Sequence, residues 1–225
     1  MSWQTHPVTP DRFEDFADIV NRNRRDRHCW CLSHRLPAAE IAELGDGSRE
    51  QAMRRLCEQE HPPGVVTYRD GEPVGWCSIG PRKEITLLSR SRLIRPIDDV
   101  PVWSIICVVV RPGHRRQGVT TRMLSDAVDY AAHGAPAVEA YPVDPQGRMD
   151  LTMAFVGTRS MFEKVGVRRG RQHRCGRRTA AAAGDAPHPD LTRRWRERWL
   201  VRQIGADLPH TRAFATGRGG WAQLP

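Results

Sequence analysis

Val102–Leu124 reads VWSIICVVVRPGHRRQGVTTRML, and in it a buried strand, an anion-shaped turn and an amphipathic helix follow without interruption. Trp103 to Val110 is a run of β-branched and apolar side chains, the pattern of a strand covered on both faces. Arg111-Pro112-Gly113 stops it. From Val119 the apolar positions Val119, Met123, Ala127 and Ala131 recur every four residues, with Leu124 and Val128 beside them, so a helix buries one stripe. Between strand and helix lies Arg115-Arg116-Gln117-Gly118-Val119-Thr120. Gly118 lets successive backbone N–H groups face outward at the helix N-terminus, an arrangement that binds an anion, most naturally a phosphate or pyrophosphate.

Upstream, Thr9-Pro10-Asp11 starts a helix with Pro in its first turn, and Phe13, Phe16, Ala17 and Val20 give it an apolar face to about Asn23. Ser48-Arg49-Glu50-Gln51 is a capping box for a second helix that ends before Pro62-Pro63. Gly64–Arg69, the turn Asp70-Gly71-Glu72 and Pro73–Ile79 form a β-hairpin. Gly80–Val100 is basic and poorly periodic, a loop with a short helix. Downstream, Pro136–Tyr141 is a strand, parallel to Trp103–Val110 if the intervening helix crosses over as βαβ units do.

Strand, Arg-x-x-Gly-x-small turn and helix resemble the coenzyme A loop of the GCN5-related N-acetyltransferase (GNAT) superfamily. Val110, Pro112, Arg115, Gly118 and Leu124 fall in step with its pattern, while Thr120 stands where Gly or Ala is usual. The preceding hairpin and the following segment Thr158–Gly166 extend the resemblance over residues 8–167. It implies an α/β (α+β) fold: a mixed, mostly antiparallel central sheet flanked by helices, with a parallel strand pair splayed at the cofactor site. It implies acetyl-CoA as co-substrate, its pyrophosphate on Arg115, Arg116, Gln117, Gly118, Val119 and Thr120, and its pantetheine arm paired with Val108, Val109 and Val110 like an added strand.

The proton-transfer residues are less defined. Phe162 replaces the tyrosine that many relatives use to protonate the thiolate, and Ser104 stands where some carry a glutamate base. Glu139 and Asp144 are the alternative bases; Tyr141, Ser160 or water are the alternative acids. The chemistry expected is direct attack of a neutral amine of a small molecule or protein on the thioester, with N–H groups around Val109 and Val110 polarising the carbonyl. The competing reading is a silent module that binds coenzyme A or contacts nucleic acid.

His28, Cys29, Cys31 and His34, with Cys57 and His61 at helical spacing, raise the question of zinc. A Cys-x-Cys pair is not the usual structural-zinc spacing, and no metal is expected. The stretch reads instead as a connector whose Trp30 plugs the core, or as a lip over an acceptor pocket. Six cysteines scattered over 225 residues suit reduced thiols. With no bilayer-length apolar run and no basic n-region or apolar h-region at its start, the chain is expected in the cytoplasm, without a membrane partner.

The net charge of +9 suggests a nucleic-acid partner until it is mapped. Val167–Pro225 holds 13 Arg and 4 acidic residues, whereas Met1–Gly166 holds 22 of each sign, so the body is neutral. Only two of the 35 basic residues are lysine, so arginine richness reflects coding bias and nucleic acid is not the expected partner. A homodimer stays open. Residues 168–225 are expected to form a partly disordered basic tail with a helix over 191–204. Their composition fits a basic arm or a high-GC gene read out of frame.

Overall fold

The computed structural model describes residues 1–25, 28–45, 48–91, 94–96, 98–143 and 155–167, and the backbone of 200–201. The elements in order are β1 (Trp3–Pro7), α1 (Phe13–Val20), α2 (Ala38–Glu43), α3 (Ser48–Cys57), β2 (Gly64–Arg69), β3 (Glu72–Pro81), α4 (Thr86–Ser89), β4 (Trp103–Val110), α5 (Val119–Ala131), β5 (Val138–Ala140), α6 (Arg159–Glu163) and β6 (Leu200–Val201). The strands form one sheet in chain order. Its first four are antiparallel, and β4, β5 and β6 are mutually parallel. This is the mixed, mostly antiparallel arrangement expected from the sequence.

The β2–β3 turn places Asp70 at φ 50° and Gly71 at φ 83°. Two consecutive left-handed residues match the twist of the flanking strands, which is why Asp-Gly works there. Four elements depart from expectation, among them α2, a short helix not anticipated from the sequence. β1 was not anticipated; it pairs with β2 from Trp3↔Arg69 to Pro7↔Val65 as a half-buried edge, so its alternation is weak. The first helix begins as a 3₁₀ turn over Pro10–Arg12 and is α-helical only to Val20, ending where the Asn21 side chain bonds the Arg25 N–H and carbonyl. At Leu200–Val201, inside the expected helix, the backbone is extended and pairs with Glu139–Ala140, covering the outer edge of β5. The rest of the expected tail and its helix, and Asp144, lie outside the described residues.

Each face of the sheet carries its own core. On one, Met123, Leu124, Ala127 and Val128 of α5 pack on Cys77, Ile79, Ile105 and Phe162. On the other, Phe13, Phe16, Trp30 and Met53 pack on Val66, Trp76 and Cys107. Trp30 is wholly buried and stacks on Phe13 with ring centroids 5.8 Å apart, so the 28–34 stretch does plug a core. The five described cysteines are free thiols. Among the described residues no helix is long and apolar enough to cross a membrane, and no three His, Cys, Asp or Glu side chains converge as a metal site would need.

Candidate functional site

β4 is not a regular strand. Its pairing with β3 runs Ser78↔Cys107 and then Ile79↔Ile105, leaving Ile106 as an extra residue on β4. Such a bulge bends the strand and increases its local twist. It also changes facing, so that Ile105 joins the α5 core, Cys107 the opposite core, and Ile106 a third cluster with Ile85, Leu88, Ile94 and Tyr141. The bulge coincides with the end of the parallel pairing: β5 meets β4 only over Trp103↔Val138, Ser104↔Glu139 and Ile105↔Ala140. Beyond it, β4 runs on to Val110 beside β3, with no described strand on its other edge. Val108, Val109 and Val110 are half-buried in that free segment.

At the end of β4 the chain turns through Gly113 at φ 89°, Arg116 at φ 60° and Gly118 at φ 81° into α5. Arg115 to Gly118 form a turn, and none of the N–H groups from Arg115 to Thr121 makes a backbone hydrogen bond of good geometry among the described residues. They form a concave row at the positive end of a helix dipole. A Cβ built on Gly118 would meet nothing within 4 Å, so the glycine is required by its left-handed backbone and the space above it is open. Arg115, Arg116 and Gln117 are exposed, and Thr120 lies half-buried on the first turn of α5. The loop is braced from β2, where Arg69 donates to Gln117 Oε1 at 2.7 Å and contacts His114 Nδ1 at 3.2 Å. These residues fit a pyrophosphate: open amides, an uncrowded glycine and flanking guanidinium groups.

Glu139 and Tyr141 meet in a buried network. The Glu139 carboxylate accepts hydrogen bonds from Arg82, from the Tyr141 hydroxyl and from Ser104 Oγ at 2.6 Å. Arg82 also donates to the Tyr141 hydroxyl and to the carbonyls of Leu88 at 3.3 Å and Ile94 at 2.6 Å, tying the 85–94 segment to the sheet. Burial and the Glu139 carboxylate push the Tyr141 hydroxyl well above its ordinary pKa, so it stays protonated. The Glu139 carboxylate is thus ion-paired to Arg82 and takes all three of these donors on Oε1. Ser160 has a separate setting, exposed on α6 with its Oγ 3.0 Å from Thr158 Oγ1. Phe162, at the family's tyrosine position, is wholly buried in the α5 core.

A small pocket lies at the parting of the strands, lined among the described residues by His34, Leu87, Leu88, Ile94, Ile105, Ile106, Tyr141 and Val156. The segment carrying His34 is fastened over it. The His34 carbonyl accepts from Leu87 N–H at 3.0 Å, the Arg35 carbonyl accepts from Thr86 Oγ1 at 2.7 Å, and the Arg35 guanidinium donates to the Pro63 carbonyl at 2.6 Å. Burial pulls Arg35 down to about 10. Sequence reasoning missed Arg82, whose place in an arginine-rich, aperiodic stretch gives no sign of burial. It also did not single out His34 within the lip.

A sheet whose central strand parts from a parallel neighbour at a bulge and ends in an open-amide turn defines an acyl-coenzyme A-dependent transferase. The acetyltransferase (GNAT) family model matches residues 27–144, and the chain belongs to that family: it is an acetyltransferase, with acetyl-CoA as co-substrate. No curated protein matches the sequence. Similar solved structures include the aminoglycoside N-acetyltransferase AAC(6')-Iy with a bisubstrate analogue, 12% identical at a TM-score of 0.46 over 81% of this chain and 100% of that one. Another is AAC(6')-Ig of Acinetobacter haemolyticus, 16% identical at 0.42 over 83% and 99%. A third is AAC(6')-Ih of Acinetobacter baumannii, 14% identical at 0.42 over 81% and 100%.

Proposed function

We propose that the protein acetylates a primary amine, carried by a small molecule or a protein, by direct attack of the neutral amine in a ternary complex. One observation carries this reading: the free edge of β4, the open-amide turn at its end and the pocket at the bulge lie in sequence along a single strand. Acetyl-CoA supplies an activated acyl group when bound. The turn Arg115–Thr120 holds its pyrophosphate, and the backbone of Val108 to Val110 pairs with its amide-bearing arm as an added strand would. From Ile106 to Val110 β4 spans about 13 Å at strand rise, along which an extended arm can run from the turn toward the pocket. Amides of β4 polarise the carbonyl, and the pocket holds the amine in line with it. The coenzyme A thiol, with a pKa of about 8.5 as free thiols have, leaves as a stable thiolate with little need of an acid.

A second reading, a silent coenzyme A-binding module, draws support from Phe162 and from the engagement of Glu139 and Tyr141 with Arg82. Calorimetry with acetyl-CoA, followed by thiol release across a panel of primary amines, separates the two. Binding with turnover supports the transferase, and binding without turnover on any amine supports the module. Absence of binding removes both.

A further inference from the structure

We infer that the tip of the β2–β3 hairpin holds the coenzyme turn open, with Arg69 and Glu72 as positioning residues that act through Gln117, His114 and Arg111; this rests on the reading of the turn as the pyrophosphate site. The turn needs such a hold. Its amides from Arg115 to Thr121 make no backbone hydrogen bond of good geometry among the described residues. Arg116 takes the left-handed region at φ 60°, which a residue with a side chain seldom adopts. Gly113 and Gly118, at φ 89° and 81°, add freedom rather than rigidity. A row of N–H dipoles pointing the same way also repels itself until an anion arrives.

Side chains supply the hold. Gln117 reaches back across the turn, its Nε2 donating to the Gly113 carbonyl at 2.7 Å while its Oε1 accepts from Arg69 at 2.7 Å. The same guanidinium lies 3.2 Å from His114 Nδ1 and is backed by the Trp3 ring, 5.8 Å from its centroid. From the other strand of the hairpin, the Glu72 carboxylate accepts from Arg111 at 3.1 Å and lies 3.5 Å from His114 Nε2. Arg111 is fixed further by its own N–H on the Val74 carbonyl at 2.9 Å and by its guanidinium on the Pro73 carbonyl at 3.3 Å. Arg69 and Glu72 face each other across the Asp70-Gly71 turn. One hairpin tip therefore grips the turn at its entry, through Arg111 and His114, and just before Gly118, through Gln117. Both polar atoms of the Gln117 side chain are engaged in this clasp, so what that residue presents to an anion is its backbone N–H.

Fixing the amides before the coenzyme arrives removes an ordering cost from binding. The clasp thus contributes to donor affinity without touching the donor, and it has no part in the bond-making step.

The test is acetyl-CoA affinity by calorimetry on the full chain, with urea midpoints and the split between kcat and KM for the donor. Glu72→Ala discriminates by sign. Removing a negative charge beside a pyrophosphate site tightens binding by Coulomb attraction alone, whereas loss of the clasp weakens it, and about 5-fold weaker binding is expected. Arg69→Met and Gln117→Met should each weaken binding about 10-fold, and the double variant about 10-fold rather than about 100-fold, because the two side chains act through one contact. In Arg69→Met and Glu72→Ala the KM for acetyl-CoA should rise with the dissociation constant while kcat at saturating donor stays within about 2-fold, a split that general loss of structure would not give. The Glu72 and Gln117 side chains are exposed, so their variants carry the test even where Arg69→Met lowers the urea midpoint. Tighter binding by Glu72→Ala, multiplying losses in the Arg69–Gln117 pair, unchanged affinity throughout, or a fall in kcat at unchanged KM each overturns the clasp. Binding of acetyl-CoA by the native protein with any of those results condemns only the clasp. A native protein that does not bind acetyl-CoA condemns the pyrophosphate assignment and the clasp together.

Discussion

Two halves of the notch between β4 and β5 are made of opposite material. The donor half, Val108 to Thr120, is one continuous stretch that offers backbone: a free strand edge and a row of open amides, with side chains half-buried or exposed except for Val119. The acceptor half draws His34, Arg82, Leu88, Ile94, Glu139 and Tyr141 from separate segments, and each is at most 8% exposed. It offers side chains, fixed by a buried ion pair and by hydrogen bonds to loop carbonyls. The difference teaches that the proposed donor contacts rest on a local backbone shape that tolerates many side chains, whereas the proposed acceptor pocket rests on a tertiary convergence that removal of one partner undoes.

The largest expected effect lies in the acceptor half. Arg82→Met strands the Glu139 carboxylate in the interior and should cost about 3–5 kcal/mol of stability by urea unfolding, while the folded fraction keeps its acetyl-CoA affinity. Adding Glu139→Gln should recover part of that loss, because the two sites share one interaction. A loss under about 1 kcal/mol for Arg82→Met, the range of exposed pairs, would break the contrast between the halves.

Gly118→Asp is the matching change in the donor half. It forces a side chain into the left-handed region and sets a carboxylate among the amides, so acetyl-CoA affinity by calorimetry should fall about 100-fold, or about 2.7 kcal/mol. The urea midpoint should move far less than for Arg82→Met. Unchanged affinity would remove the turn from the cofactor site.

Gly75→Val probes what the halves share. A Cβ at Gly75 would lie 2.8 Å from Met123 Sδ and 3.2 Å from Val119 Cγ1, so this glycine lets α5 approach β3 and sets the turn against the strand. Stability should drop by about 1–3 kcal/mol and coenzyme affinity should fall with it. Affinity that holds while stability drops would show the turn to be independent of the α5 contact.

The smallest effect is a pH dependence of the core under the lip. Burial pushes the Cys57 thiol up from 9.0 to about 12 and Cys77 in the same direction. Above pH 9 the unfolded chain therefore releases protons that the folded chain keeps, and stability declines as pH rises from about 9 toward 12. By about pH 9.5 the Cys57 contribution should amount to about 1 kcal/mol. Urea midpoints between about pH 7 and 9.5 should decline less steeply in Cys57→Ala; an identical slope would sink the assignment.

Legibility followed the same division. Gly118, the apolar run from Trp103 to Val110, the Asp70-Gly71 turn and the α5 stripe each write their conformation into adjacent residues. All of them stood in the sequence as they stand in the fold. β1 escaped because a half-buried edge strand of five residues shows little alternation. The bulge at Ile106 escaped because an extra residue is defined only against the partner strand, and the run Trp103–Val110 reads the same with or without it. Arg82 escaped because burial of a guanidinium depends on a carboxylate 57 positions away.

The sequence by itself determined the order of elements from β2 to β5 and the glycine turn before α5, because those rest on contacts between near neighbours in the chain. The tertiary structure alone decided where β4 parts from β5, that Glu139 and Tyr141 are locked to Arg82, and that His34 lines the pocket at the parting. Each of these is a meeting of segments tens of residues apart, set by packing against the two faces of the sheet, which no local pattern of side chains encodes.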